Sequence, residues 1–179
     1  AVTLDSTSGN GPVLFSSTVN SAANVGNTAS AANPLTVTTG SGNVTFTGVV
    51  GGGTNGALGA LTVNTTGTTT FSAAVTAASV TTNAGGTTAI NGGTITTTGA
   101  QTYNDAVTLG AATTLTSSGS GNINLASTVN GAQTLTINTA GTTTFGGIVG
   151  GTTALTSITT DAAGSLAING GAITTTGAQ

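Results

Sequence analysis

The chain contains no lysine, arginine, histidine, glutamate, cysteine, methionine or tryptophan anywhere in its 179 residues. Its ionisable side chains are three aspartates, Asp5, Asp105 and Asp161, and one tyrosine, Tyr103. A typical globular domain draws about a quarter of its residues from charged types, so each absence here excludes something. Recognition of phosphate rests on Lys and Arg, which rules nucleic acid out as an expected partner. Attraction to an anionic membrane surface fails for the same reason. No apolar run approaches the roughly 18 residues of a membrane-spanning helix, so no membrane insertion by this segment is expected. Without cysteine there is neither a disulfide framework nor a thiolate metal site. Proteases that cut after Lys or Arg have nothing to cut. No basic start followed by an apolar stretch marks a secretion signal. The chain opens in mid-pattern at Ala1-Val2-Thr3-Leu4 and stops in mid-pattern at Gln179, and so reads as a piece of something longer.

Catalysis is not expected either. Glycosidic hydrolysis usually needs two carboxylates about 5 to 10 Å apart. Asp105 and Asp161 fall two or three repeats apart, roughly 10–15 Å in a stack of strands, with Asp5 further still. No other side chain can act as a base near neutral pH, and the Ser and Thr hydroxyls have no activating partner. Repeat calcium sites place an Asp in every Gly-rich turn. The turns here, Gly51-Gly52-Gly53, Gly85-Gly86 and Gly92-Gly93, carry none, so no metal and no cofactor are expected. Asp105 and Asp161 are expected instead to bond backbone amides at turns.

What the chain does have is threonine, roughly a quarter of its residues, with Gly, Ala, Asn and Ser making up most of the rest. Disordered segments are usually charged and poor in β-branched residues, the opposite bias. Short segments alternate apolar and polar, the period of a half-buried strand. The clearest are Leu35-Thr36-Val37-Thr38, Leu61-Thr62-Val63-Asn64 and Leu135-Thr136-Ile137-Asn138. Each is followed by a Gly-containing turn and a second short strand ending in Phe46, Phe71 or Phe145. The leading Leu recurs at 35, 61, 115, 135 and 155, with Val80 and Ile158 heading related segments. These spacings, about 17 to 26 residues, match one solenoid coil rather than a domain.

Two all-β folds compete for this pattern. Asn-Gly dipeptides at 10–11, 55–56, 91–92, 130–131 and 169–170 could close hairpins of an antiparallel sandwich. Coils of unequal length with like residues in register favour a parallel β-helix (β-solenoid), right-handed because parallel crossovers nearly always are. Such a stack has a narrow interior of Leu, Val, Ile, Phe and Ala, and outward Thr columns. Asn64 and Asn138 can then join amide ladders near the corners. Phe15, Phe46, Phe71 and Phe145 read as one internal stack. Tyr103 occupies the place of Leu135 in a related Gly-Ala-Gln-Thr segment, and so reads as core. Asn43-Val44-Thr45 and Asn64-Thr65-Thr66 match the glycosylation sequon, as chance allows in a chain this rich in Asn and Thr.

One phrase is written twice. Residues 90–101 read INGGTITTTGAQ and residues 168–179 read INGGAITTTGAQ, identical at eleven of twelve positions and 78 residues apart. The expectation is that about four coils make one larger unit, dividing a single solenoid segment, 1–179, into about 1–101 and 102–179.

The stretches Thr98-Gly-Ala-Gln-Thr-Tyr-Asn-Asp-Ala-Val-Thr-Leu109 and Gly141-Thr-Thr-Thr-Phe-Gly-Gly-Ile-Val-Gly-Gly151 resemble the repeats of large bacterial surface proteins. These are the β-strand-repeat proteins similar to filamentous haemagglutinins and autotransporter passengers. The resemblance covers most of the chain, although no secretion domain or outer-membrane barrel accompanies it. It implies a secreted or cell-surface, extracellular fibre with a scaffold or adhesin-like role. No receptor-binding residue carries over, because the motif is a scaffold pattern. End-to-end self-association is expected, since exposed strand edges invite it. Surface glycans of a host or neighbouring cell are candidate partners.

Ice binding is the alternative, because a flat face bearing Thr-x-Thr in every coil suits the spacing of water in ice. Here Thr36/Thr38 is followed by Thr62/Asn64, Thr116/Ser118 and Thr136/Asn138, an irregular rank. A polysaccharide-binding module is a third reading.

Overall fold

The computed structural model describes residues 1–21, 32–52 and 56–179. Among these, eighteen strands follow one another and there is no helix. The first six are β1 (Val2–Asp5), β2 (Val13–Phe15), β3 (Leu35–Thr38), β4 (Val44–Phe46), β5 (Leu58–Asn64) and β6 (Thr68–Phe71). Then come β7 (Val75–Thr82), β8 (Thr87–Ile90), β9 (Thr94–Thr97), β10 (Gln101–Tyr103), β11 (Ala106–Leu109) and β12 (Thr113–Ser117). The last are β13 (Ile123–Leu125), β14 (Val129–Asn130), β15 (Thr134–Thr139), β16 (Thr142–Phe145), β17 (Ser157–Thr160) and β18 (Ser165–Ile168).

Every strand pairing is parallel, and partners lie about one coil apart in sequence. The chain is therefore a β-solenoid, as its spacing predicts, and the hairpin reading is set aside. The Asn-Gly pairs at 10–11, 91–92, 130–131 and 169–170 lie at corners of the coils and close no hairpin. Asn55 of the fifth pair and Gly53 of the Gly51–Gly53 turn lie outside the described residues.

The solenoid has three faces. On the first, β1, β3, β5, the end of β7, β10, β13, β16 and β18 stack in that order. At the strand spacing of about 4.8 Å, eight stacked strands span about 34 Å. Leu4, Val37, Val63, Thr82, Tyr103, Leu125, Phe145 and Ile168 form one column along this face. Successive members lie 19–26 residues apart, except that the first coil takes 33 and includes residues 22–31. The second face stacks β2, β4, β6, β8, β11 and β14. The third stacks the start of β7, β9, β12, β15 and β17. β7 runs through both the third and first faces, and joins them into one sheet.

The alternation read from sequence is what fills the interior. In β3 and β15 every second residue is buried, with Leu and Val or Ile inward and Thr or Asn half-exposed. Stacking places like on like: the Phe15 and Phe46 rings stand 4.7 Å apart and within 3° of parallel, and Phe46 and Phe71 follow at 5.4 Å. Phe145, however, does not continue that series. It pairs with Leu125 and Ile168 on the first face, whereas Phe71 is followed by Ile90 on the second.

The misplaced phenylalanine reveals how the sequence repeat relates to the coil. Leu61–Phe71 runs from the first face to the second, whereas the matching Leu135–Phe145 runs from the third face to the first. The twice-written phrase behaves the same way. Ile90 lies on the second face beside Phe71, while Ile168 lies on the first beside Phe145. The larger unit is thus three coils and two further faces, one face short of four coils. Each copy is a local corner that keeps its own bonds wherever it lands. The Gln101 amide donates to the carbonyl of Ile95 and the hydroxyl of Thr97, at 3.3 and 3.2 Å. The Gln179 amide donates to Ile173 and Thr175 at 3.4 and 3.2 Å.

This phase offset predicts a specific cross-link. Asn124 and Thr144 are neighbours on the first face, so Asn124→Cys with Thr144→Cys should oxidise readily to a disulfide. Were the repeat in phase with the coil, Thr144 would stand in the second-face column that holds Thr70 and Asn130, and Asn130→Cys would be its partner. Mass analysis under non-reducing conditions should find the bridge in the first pair and not in the second.

Candidate functional site

The ionisable groups do not converge. Asp5 ends β1, Asp105 turns a corner after β10, and Asp161 follows β17 on the third face. No group of three or more potential metal ligands occurs among the described residues.

Their environments differ. Asp5 is exposed and accepts hydrogen bonds from the Thr7 hydroxyl at 2.6 Å and the Thr7 N–H at 2.9 Å. Those two donors, the hydroxyl first, hold its carboxyl below the ordinary value. Asp161 is exposed. Asp105 is only 1% exposed. Its Oδ1 accepts the Gly86 N–H of the preceding coil at 2.7 Å, and the Thr88 hydroxyl donates to Oδ2 at 3.5 Å. The expected turn bond to a backbone amide is therefore present at Asp105. Burial pushes this carboxyl up, against the N–H and hydroxyl that favour its charge.

Asp105 takes over a task that asparagine performs at other corners. Asn43 Oδ1 accepts the Thr68 N–H at 2.9 Å, Asn83 Oδ1 that of Thr65 at 2.8 Å, and Asn122 Oδ1 that of Thr142 at 2.9 Å. Corner hydroxyls add a second tie. Thr65 donates to Gly42 O of the preceding coil at 2.6 Å and accepts from Gly67 N at 2.9 Å. Thr139 repeats this with Gly121 O and Gly141 N, at 2.7 and 3.0 Å. Sequence reasoning missed this role of threonine, although Thr-x-Gly at each of these corners was the available signal.

Tyr103 is fully buried, as its place in the repeat suggested. Its hydroxyl donates to Gln101 Oε1 at 2.9 Å, and burial pushes its phenol up. Gln101 in turn donates to Thr116 O at 2.9 Å, so this polar pair is satisfied inside the core. By contrast, the buried hydroxyl oxygens of Thr69 and Thr82 have no hydrogen-bond partner. Two hollows, about 260 and 400 Å³, open at the ends of the apolar interior, lined in part by Leu4 and Phe15 and by Leu166 and Ile168.

The outward threonines are the remaining candidate surface, and the structure regroups them. Thr36/Thr38 and Thr62/Asn64 lie on the first face, while Thr116 and Thr136/Asn138 lie on the third. Thr116 stands beside Asn138, and its partner within the strand is Thr114, not Ser118. On the first face Thr3, Thr36, Thr62, Thr81 and Thr102 form an unbroken column, continued by Asn124 and Thr144. On the third, Thr94/Thr96 and Thr114/Thr116 form a Thr-x-Thr array, followed by Thr136/Asn138. Asn64 follows Val63 as Asn83 follows Thr82 and Asn104 follows Tyr103, a column of amides; Asn138 stands over threonine instead. Such columns repeat about every 4.8 Å across the strands and about 6.6 Å along them. They present neutral hydrogen-bonding groups at a regular spacing.

Comparison with protein-family models, with curated proteins and with solved structures finds no match to the chain. The class the fold defines is a threonine-rich parallel β-solenoid.

Asp105→Asn should raise the thermal midpoint at neutral pH, since the amide keeps an acceptor for Gly86 N–H and carries no buried charge. In the parent, the raised folded pKa means that charge costs stability above it. Stability is recovered as pH falls through the folded pKa, and the gain is complete below the unfolded value of about 3.9. The two midpoints should therefore converge on acidification, as thermal scans across that window would read. A variant less stable than the parent at neutral pH would contradict the assignment.

Proposed function

We propose that this chain is a structural segment of an extracellular or cell-surface repeat protein, a rod with a scaffold or adhesin-like role. The observation that carries the reading is where the polar groups are used. Corner hydroxyls, amides and Asp105 tie coil to coil, so the polar chemistry of the chain supports length. Its near-absence of charge removes the repulsion that keeps soluble rods apart. Among the described residues, strands β1 and β18 each have one unpaired edge, and such edges accept a further strand. Addition of a second copy at these edges would lengthen the rod into a filament. Glycans on a host or neighbouring cell are the partners an adhesin-like role would use.

Ice binding is a second reading, favoured by the five-coil threonine column of the first face. The outward hydroxyls of Thr36, Thr62, Thr81 and Thr102 make no hydrogen bond to the protein among the described residues, which leaves them to solvent.

Electron microscopy of the purified protein should show filaments that thicken little and grow in length. Ile168→Lys, which puts a charge on the exposed edge strand β18, should leave single rods. Rods from the parent would sink end-to-end assembly, and filaments from the variant would exclude this edge. Thermal hysteresis in the parent, lost in Thr81→Tyr, would instead favour the ice reading.

A further inference from the structure

Four Asn-Gly pairs fall within the described residues, and their glycine amides are not equivalent. The Gly92 N–H donates to Phe71 O at 2.9 Å, the Gly170 N–H to Phe145 O at 3.1 Å, and the Gly131 N–H to Thr153 O at 3.2 Å. Each of these amides is tied to a carbonyl of another coil. The Gly11 N–H makes no hydrogen bond. Exposure does not set the pairs apart, because Asn10, Asn91 and Asn169 are all exposed. The difference lies in the amide.

That amide is the nucleophile of a known side reaction of asparagine. The backbone nitrogen after the asparagine, once it loses its proton to base, attacks the side-chain Cγ. The new N–Cγ bond closes a five-membered succinimide, and the Cγ–Nδ2 bond breaks to release ammonia. Water then opens either imide C–N bond, giving aspartate or isoaspartate. No oxidant or cofactor takes part. Glycine in second place exposes the nitrogen most, and a hydrogen bond from that N–H must open before it can attack.

We infer that Asn10 is a modification site of this protein, undergoing spontaneous deamidation to aspartate and isoaspartate in the folded state. The corner solenoid protects Asn91, Asn130 and Asn169 by the same coil-to-coil bonds that hold its stack together. The site is well placed to have a consequence. Asn10 Oδ1 accepts the Ser41 N–H of the next coil at 3.2 Å, and it packs so closely on Gly40 that a Cβ there would come within 2.0 Å. Aspartate keeps an acceptor and adds a negative charge to the corner. Isoaspartate lengthens the backbone by one atom, which shifts the side chain off Ser41 and loosens the first coil.

The test follows oxygen from water. Folded protein is held in mildly alkaline buffer made with heavy-oxygen water, and peptic peptides are read by mass spectrometry with fragmentation that separates aspartate from isoaspartate. Asn10 should take up label about tenfold or more faster than Asn91, Asn130 or Asn169, the ratio set by opening a single held amide. In denaturant the four sites should react at similar rates. Uptake at any of the three held sites as fast as at Asn10 in the folded protein would overturn the inference. So would an Asn10 that reacts only in denaturant.

Discussion

The structure depends on how closely one coil lies on the next at the corners. At Gly92 a Cβ would fall 2.2 Å from the carbonyl carbon of Ala73, at Gly121 2.2 Å from that of Gly99, and at Gly170 2.0 Å from the carbonyl oxygen of Gly147. Backbone rests there on backbone, with no room for a side chain. This contact lets the strands approach to pairing distance on all three faces, and from that pairing come the stacked phenylalanines and the apolar interior between the faces. The polar ties of Thr65, Thr139, Asn43, Asn83 and Asn122 satisfy the corner backbone groups that turning the chain would otherwise leave unbonded.

Because every face is built in the same way, a piece of sequence is not bound to one of them. Leu61–Phe71 and Leu135–Phe145 make the same strand, corner and strand on different sides of the rod. A repeat three and two-thirds coils long does not restore its orientation after one copy. Surface features carried by the repeat are therefore shown around the rod rather than along one side. A one-sided surface has to come from columns such as Thr3–Thr102, where like positions of successive coils stack on one face.

Much of this was legible in the sequence. Alternation in Leu35–Thr38 and Leu135–Asn138 identified strands and their inward sides, and the spacing of leading residues gave the coil. The burial of Tyr103 is legible from its neighbours alone, although it lies on the first face and Leu135 on the third. What sequence does not count is the face. Leu35, Leu61 and Val80 head segments of the first face, whereas Leu115, Leu135 and Ile158 belong to the third. The local pattern is identical on each, so sequence alone puts Phe145 in the wrong column and mixes the threonine ranks. The role of Asp105 was half legible: a turn residue bonding an amide was expected, but burial depends on the coil stacked above it.

Thermal unfolding of two glycine variants tests the central claim most directly. Gly92→Ala forces a methyl group into the backbone of the coil beneath, whereas Gly9 has nothing within 4 Å of where a Cβ would stand. Overpacking of this kind costs about 1–3 kcal/mol, and more where backbone rather than a side chain must give. The account predicts a clear fall in melting temperature for Gly92→Ala and little or none for Gly9→Ala. Equal, small effects at both positions would contradict it.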